Sequence, residues 1–258
     1  MHYMQLVEMQ WKTMKASSTA IYADKSYVSG RHLVVVQCRS NSTRLPGKAM
    51  MILGGIPMLS FLLKRLKAGL PEDRFKIILA TTEGPADNII ADLGKEEGVE
   101  VLRGDENDVL KRYLKCLEAF PANIVVRVTA DNPFTCPEVI EYAVNEMIKR
   151  KVDYLKCKNL PEGSGVDLFS SNLLKQLNVE AKNPQEREHI NMYVLKNKEK
   201  YTTSFVHFEG KRAHPSIRIT VDTLEDLENV RSLFRQDDVD PWRMPLVEII
   251  KRMDPSII

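Results

Sequence analysis

Residues 33–48 read LVVVQCRSNSTRLPGK, an unbroken apolar run that passes abruptly into a loop of small polar and basic residues. Leu33, Val34, Val35 and Val36 leave no polar face before Gln37, so the run is expected to be a strand covered on both sides, as in a parallel sheet. The loop carries Ser40, Asn41, Ser42 and Thr43 together with Arg39, Arg44 and Lys48, and closes on Pro46-Gly47. Short side chains let backbone N–H groups approach phosphate oxygens, and guanidinium and ammonium groups neutralise them. One wall of a nucleoside triphosphate site is the expectation. A solvated basic surface is the competing reading.

Outward from this stretch the pattern alternates strand and helix. Gly54-Gly55 predicts a turn, and Leu59, Leu62, Leu63 and Leu66 share one face of a helix opening near Pro57. A strand over 76–80, a helix over 85–97 stopped by Gly98, a strand over 99–102, a helix over 108–119 and a strand over 123–129 follow. Next come a helix over 137–150 and a strand over 153–155. Such β-α-β repetition implies a mainly parallel sheet covered by helices, with ligands at the strands' carboxyl ends. Arg39 and Arg44, Thr81-Thr82, Arg103 to Asp105, and Asp131 each follow a strand. Four sets of polar groups at one sheet edge favour a site there.

The later chain is less periodic. Residues 156–184 read as turns with a short helix over 171–177, followed by a helix over 185–198. Strands over 204–208 and 216–221 precede a helix over 225–234 and a last one over 246–253. Residues 1–30 differ from the rest: Met4, Val7, Trp11 and Met14 lie on one face of a short amphipathic helix that needs a surface to pack on. Two units are therefore expected, an N-terminal extension over 1–30 and a single α/β domain over 31–258.

At 258 residues one large core suits the length. A net charge of +2 argues against a nucleic-acid partner, because Lys and Arg are interleaved with nearly as many acids. Cys38, Cys116, Cys136 and Cys157 form no C-x-x-C pair, which points to reduced thiols in a cytoplasmic protein. No apolar run approaches a membrane span, and no secretion signal is evident. The loop matches neither the G-x-x-x-x-G-K-[ST] phosphate loop nor a G-x-G-x-x-G fingerprint, so it must use Arg and Lys where those motifs use glycine backbone. There is no G-x-S-x-G elbow and no H-E-x-x-H helix.

Two carboxylates close the sequence-level inventory. Asp131 and Asp222 each end a predicted strand, and together they could hold magnesium, a hard cation that stays bound to triphosphate oxygens. Asp222 could equally cap the helix that follows, and Asp131, before Asn132-Pro133, could serve a turn. His189 reads either as part of an ion-paired helix turn or as a ligand contact.

These residues, taken in order, resemble a known family. Gln37-Cys38-Arg39 with residues 42–48, STRLPGK, is similar to the Q-A-R-x-x-S-T-R-L-P-G-K signature of the cytidylyltransferases. The resemblance is to the spore coat polysaccharide biosynthesis type, related to 3-deoxy-manno-octulosonate cytidylyltransferase. Ala80-Thr81-Thr82, Arg103-Gly104, residues 127–133 (RVTADNP), Arg187-Glu188-His189 and residues 218–223 (RITVDT) continue the match. It implies a Rossmann-like α/β three-layer sandwich of the nucleotide-diphospho-sugar transferase type with a mostly parallel mixed sheet. The implied reaction transfers CMP from CTP to an acidic sugar, with release of pyrophosphate, for surface polysaccharide biosynthesis.

In that reading Arg39, Arg44 and Lys48 are catalytic. Nucleotide contacts come from Gln37, Arg39, Ser42, Arg44, Lys48, Thr81, Thr82, Arg103 and Gly104. Asp131 and Asp222 hold Mg2+, and Arg187 and His189 meet the sugar. The resemblance also implies a homodimer. One departure is that Gly165 stands where the family carries an acid before a V-E-V-F strand, here Val166-Asp167-Leu168-Phe169. A glycosyltransferase on a similar fold would show a D-x-D motif, which Asp131-Asn132-Pro133 is not. A non-catalytic nucleotide-binding subunit would be expected to lose Lys48, Asp131 or Asp222, and all three are present.

Overall fold

The 33–36 run forms the middle of β1 (His32–Gln37) and is buried along its whole length. The computed structural model describes residues 31–257; the predicted N-terminal helix lies outside them. Alternate residues of β1 enter different cores. Val34 and Val36 pack with the helix Met58–Gly69, the helix Pro137–Arg150 and the last helix, Leu246–Met253, while Leu33 and Val35 pack with the helices Val109–Ala119 and Ser171–Glu180. An apolar run without a polar phase is thus what a central strand with helices on both faces requires.

Two short strands, β2 (Ile52–Leu53) and β3 (Ile56–Pro57), form a hairpin around the turn expected at Gly54-Gly55; the strands themselves were not expected. The main sheet has seven strands in the order β5-β4-β1-β6-β8-β7-β9, with β4 at Phe75–Thr82, β5 at Glu100–Gly104, β6 at Ile124–Thr129, β7 at Tyr154–Lys158, β8 at Asp167–Ser170 and β9 at Thr203–His207. Pairings of β1 with β4 and β6, of β4 with β5 and of β7 with β9 are parallel; β8 runs antiparallel to β6 and β7. The chain leaves β1 toward β4 and β5, then returns to place β6 on the other side of β1. That reversal makes a crevice at the carboxyl ends of β1 and β6, where ligands bind in open α/β sheets.

Three local expectations differ from the structure. The predicted strand over 216–221 joins no ladder among the described residues apart from one bridge, Glu162 to Arg218. Its N–H groups go instead to loops: Ile219 donates to the Glu162 carbonyl at 2.9 Å and Val221 to the Asp131 carbonyl at 2.8 Å. Residues 167–170, in the stretch read as turns, form β8, and the helix after it runs on to Glu180. The single helix over 185–198 is two, Pro184–Glu188 and Asn191–Lys196, broken at His189. Ile190 and Val194 are buried while Arg187 and Glu188 bond in other directions, which one straight helix could not satisfy.

Candidate active site

The loop after β1 owes its shape to two features. Gly47 adopts a φ of +70°, a left-handed conformation that L side chains rarely occupy, and its N–H closes on the Ser40 carbonyl at 3.0 Å. Ser40 in turn donates its N–H to Asp87 at 2.7 Å, and Asp87 is itself gripped by the hydroxyls of Thr81 and Thr82. Burial alone would raise the Asp87 carboxyl, but these hydrogen bonds outweigh it and hold the group below its usual range. The turn at Gly47 then sends Lys48 inward.

Lys48 is the meeting point of the two aspartates. Its Nζ donates to the Val221 carbonyl at 2.8 Å, to Asp222 Oδ1 at 3.1 Å and to Asp131 Oδ2 at 3.4 Å. Arg44 pairs with the same Asp222 oxygen at 2.9 Å, and Arg218 takes Oδ2 at 2.9 Å. Burial works to raise the Asp222 carboxyl, but Lys48, Arg44 and Arg218 prevail and lower it. The local alternatives for both aspartates are answered by their neighbours. Thr223, with Asp226 in a capping box, caps the helix Leu224–Arg231, and the turn after Asp131 is held by Asn132 and Thr135. Both carboxylates are left to face the crevice.

The crevice is a cleft of about 350 Å³ lined by Gln37, Arg39, Ser42, Arg44, Lys48, Asp131, His189 and Asp222 among others. Arg39 crosses part of it to Glu188 at 2.7 Å. Five permanent cations, Arg39, Arg44, Lys48, Arg112 and Arg127, face three carboxylates, Asp131, Glu188 and Asp222, a surplus of two positive charges. Such a surplus in a concave site favours a polyanion.

The other expected contacts lie elsewhere. Thr81 and Thr82 are buried on Asp87, so they support the loop from behind. Arg103 is held by the Thr82 and Gly84 carbonyls and by Asn88, and Gly104 backs onto the stem of Arg112. Arg187 is bonded to Asp108 at 2.7 Å and to the end of the helix Ser171–Glu180, and does not line the cleft. Conversely, Arg112 and Arg127 line it without having been expected there. Each signalled its position: Arg127 interrupts a run of valines, and Arg112 sits on the apolar stripe of its helix with Val109 and Tyr113.

Among the described residues four buried side-chain polar atoms lack a hydrogen-bond partner, and three belong to cleft residues: Arg112 Nε, Arg127 Nε and Asp131 Oδ1. Unsatisfied buried groups are uncommon, and three of these four gather around the cleft. Asp131 Oδ1 also bears on the metal. No group of three or more His, Cys, Asp or Glu residues able to hold a metal occurs among the described residues. A cation that takes one or two carboxylates and completes its shell with phosphate oxygens and water fits what Asp131 and Asp222 offer. The positive charge of Lys48 already lies between them.

Asp226 ties this region to pH. Burial opposes its ionisation, but Arg218 and the N–H groups of Asp222 and Thr223 hold its carboxyl down at about 2. A depressed carboxyl adds stability that is complete above its unfolded value of about 3.9 and is lost as pH falls through the folded one. Thermal unfolding of the full chain is therefore expected to fall between about pH 4 and pH 2, with a shallower slope in Asp226→Asn. An equal slope in the variant would contradict this assignment.

Comparison with known proteins agrees with the geometry. A family profile described as Cytidylyltransferase matches residues 33–243. The spore coat polysaccharide biosynthesis protein SpsF of Bacillus subtilis is 31% identical over 207 residues, covering 79% of this chain and 86% of that protein. The structure of a cytidylyltransferase from Leptospira borgpetersenii superposes with a TM-score of 0.80 at 30% identity, covering 89% of this chain and 97% of that one. CMP:2-keto-3-deoxy-manno-octonic acid synthetase, solved with CTP, shares the fold at a TM-score of 0.60 and 18% identity, covering 79% and 98%. No helix among the described residues is long and apolar enough to cross a membrane.

Proposed function

Because the chain belongs to the cytidylyltransferase family, we propose that it transfers CMP from CTP to the anomeric hydroxyl of an acidic sugar and releases pyrophosphate, activating the sugar for surface polysaccharide synthesis. The observation that carries this reading is the convergence of Lys48, Asp131 and Asp222 beneath the basic loop. In the reaction the sugar oxygen forms a bond to the α-phosphorus while the bond to the pyrophosphate oxygen breaks, and the hydroxyl proton passes to solvent. Negative charge grows on the leaving pyrophosphate, so fixed cations lower the barrier. Arg39, Arg44 and Lys48 supply those cations. Arg112 and Arg127 add to the field from behind.

In the free protein these groups are held by carboxylates: Arg39 by Glu188, and Arg44 and Lys48 by Asp222. A triphosphate competes for the same cations, which frees Asp131 and Asp222 to hold Mg2+. When bound, that ion neutralises phosphate oxygens. No covalent nucleophile is required, and the thiol of Cys38, which also lines the cleft, is pushed well up by burial.

The test is pyrophosphate release by the full chain with each of CTP, ATP, GTP and UTP against a panel of acidic and neutral sugars. Release with CTP and a sugar acid is expected. Release only with another nucleotide, or with no sugar acid, would overturn the reading.

A further inference from the structure

A second cavity of about 410 Å³ adjoins the first at the carboxyl ends of β6 and β7, and the two share Arg127 and Thr129. Its wall is a row of charges set by strand register. Arg127 on β6 lies opposite Asp167 on β8, and Asp167 lies opposite Lys156 on β7. Residues directly opposite in antiparallel strands present their side chains on one face. The row therefore reads positive, negative, positive.

Asp167 is fully engaged. Tyr154 donates its hydroxyl to one oxygen at 2.7 Å and Asn191 its amide to the other at 2.9 Å, while Arg127 and Lys156 lie at 3.5 and 3.7 Å. The cations are not. Asp167 at 3.7 Å is beyond hydrogen-bond reach of Lys156 Nζ, whose three donors are left for another partner. Arg127 Nε is buried without a partner. Glu162, the other acid of the cavity, pairs with Arg218. A row closed on itself would neutralise its charges; this one retains a positive charge facing a space large enough for a monosaccharide.

We infer that this second cavity takes the acceptor sugar, and that Lys156, set beside Arg127 by Asp167, is the residue that selects a carboxylate-bearing sugar over a neutral one. The inference rests on the cytidylyl-transfer reading above. It locates acid selectivity on β7, three places along the sheet from β1 and its basic loop, so that acceptor and nucleotide affinities separate.

The test uses the full chain with CTP, 3-deoxy-manno-octulosonate and its C1 methyl ester, which lacks the negative charge. If the panel turns over a different sugar acid, that acid and its ester replace the probe. For the unaltered chain the acid is expected to have a KM lower than the ester's by roughly 10- to 100-fold, the range of a hydrogen bond to a charged group. Lys156→Met, similar in length without the charge, is expected to abolish that difference by raising the KM of the acid. Lys156→Arg restores it, and CTP affinity by calorimetry stays within about twofold of the original. Equal KM values for acid and ester, or an unchanged acid KM in Lys156→Met, would overturn the inference while leaving cytidylyl transfer intact. No turnover of CTP with any sugar would instead remove the underlying activity.

Discussion

Asp131→Asn is expected to lose at least about a hundredfold in nucleotidyl transfer while the fold survives. The substitution keeps size and shape and removes one charge. Its structural cost is small, since among the described residues the ion pair lost is the 3.4 Å contact to Lys48, and Oδ1 has no hydrogen-bond partner there. The backbone bonds at this position, from Val221 N–H and the Thr220 hydroxyl to the Asp131 carbonyl, do not involve the side chain. Asp222→Asn is expected to cost as much in activity but more in stability, because that carboxylate balances Lys48, Arg44 and Arg218 together. Magnesium-dependent pyrophosphate release, read beside thermal unfolding, separates the two contributions. Unchanged magnesium-dependent turnover in both variants would remove the metal assignment.

The second large effect is expected at Lys48. Lys48→Ala should weaken CTP binding by roughly 10- to 100-fold, the loss expected when a charge-assisted contact to a phosphate disappears. Calorimetry on the full chain measures it, and unaltered affinity would refute the role. The position of Nζ between two carboxylates gives a second, opposite consequence. Without nucleotide, Lys48 competes with any divalent cation for Asp131 and Asp222. Lys48→Met should therefore bind Mn2+ more tightly than the original chain in the absence of CTP, as read by electron paramagnetic resonance of the free ion. Weaker or equal Mn2+ binding would mean that the lysine does not occupy the cation's place.

Of the residues legible in the sequence, Lys48 follows the turn at Gly47, and Asp131 and Asp222 each had a local structural alternative that a neighbour took over: Asn132 and Thr135 for the turn, Thr223 for the cap. Thr81, Thr82, Arg103 and Arg187 were expected with them, yet their donors are engaged by Asp87, by the Thr82 and Gly84 carbonyls and by Asp108. Nothing local distinguishes a polar group that faces the cleft from one that holds up its wall. Asp87 is the instructive case, an unremarked acid in a 3₁₀ turn that fixes the basic loop through Ser40.

β8 and the segment at 216–221 show the same limit in the backbone. Four residues after Gly163-Ser164-Gly165 form a strand because β6 and β7 supply partners on both sides, whereas Ile217, Ile219 and Val221 alternate like a strand but meet loop carbonyls. Strand pairing depends on what lies alongside, which side-chain period alone does not specify.

By itself the sequence determined the buried β1, the alternation of helices and strands around it and the basic loop at its end, because burial pattern and turn chemistry are local properties. Only the tertiary structure decided that residues 48, 131 and 222 meet, that Arg112 and Arg127 join them, and that Arg127, Asp167 and Lys156 form one row. Those contacts follow from strand order, which sets β6 beside β1 and inserts β8 between β6 and β7, and strand order is fixed by how the whole core packs.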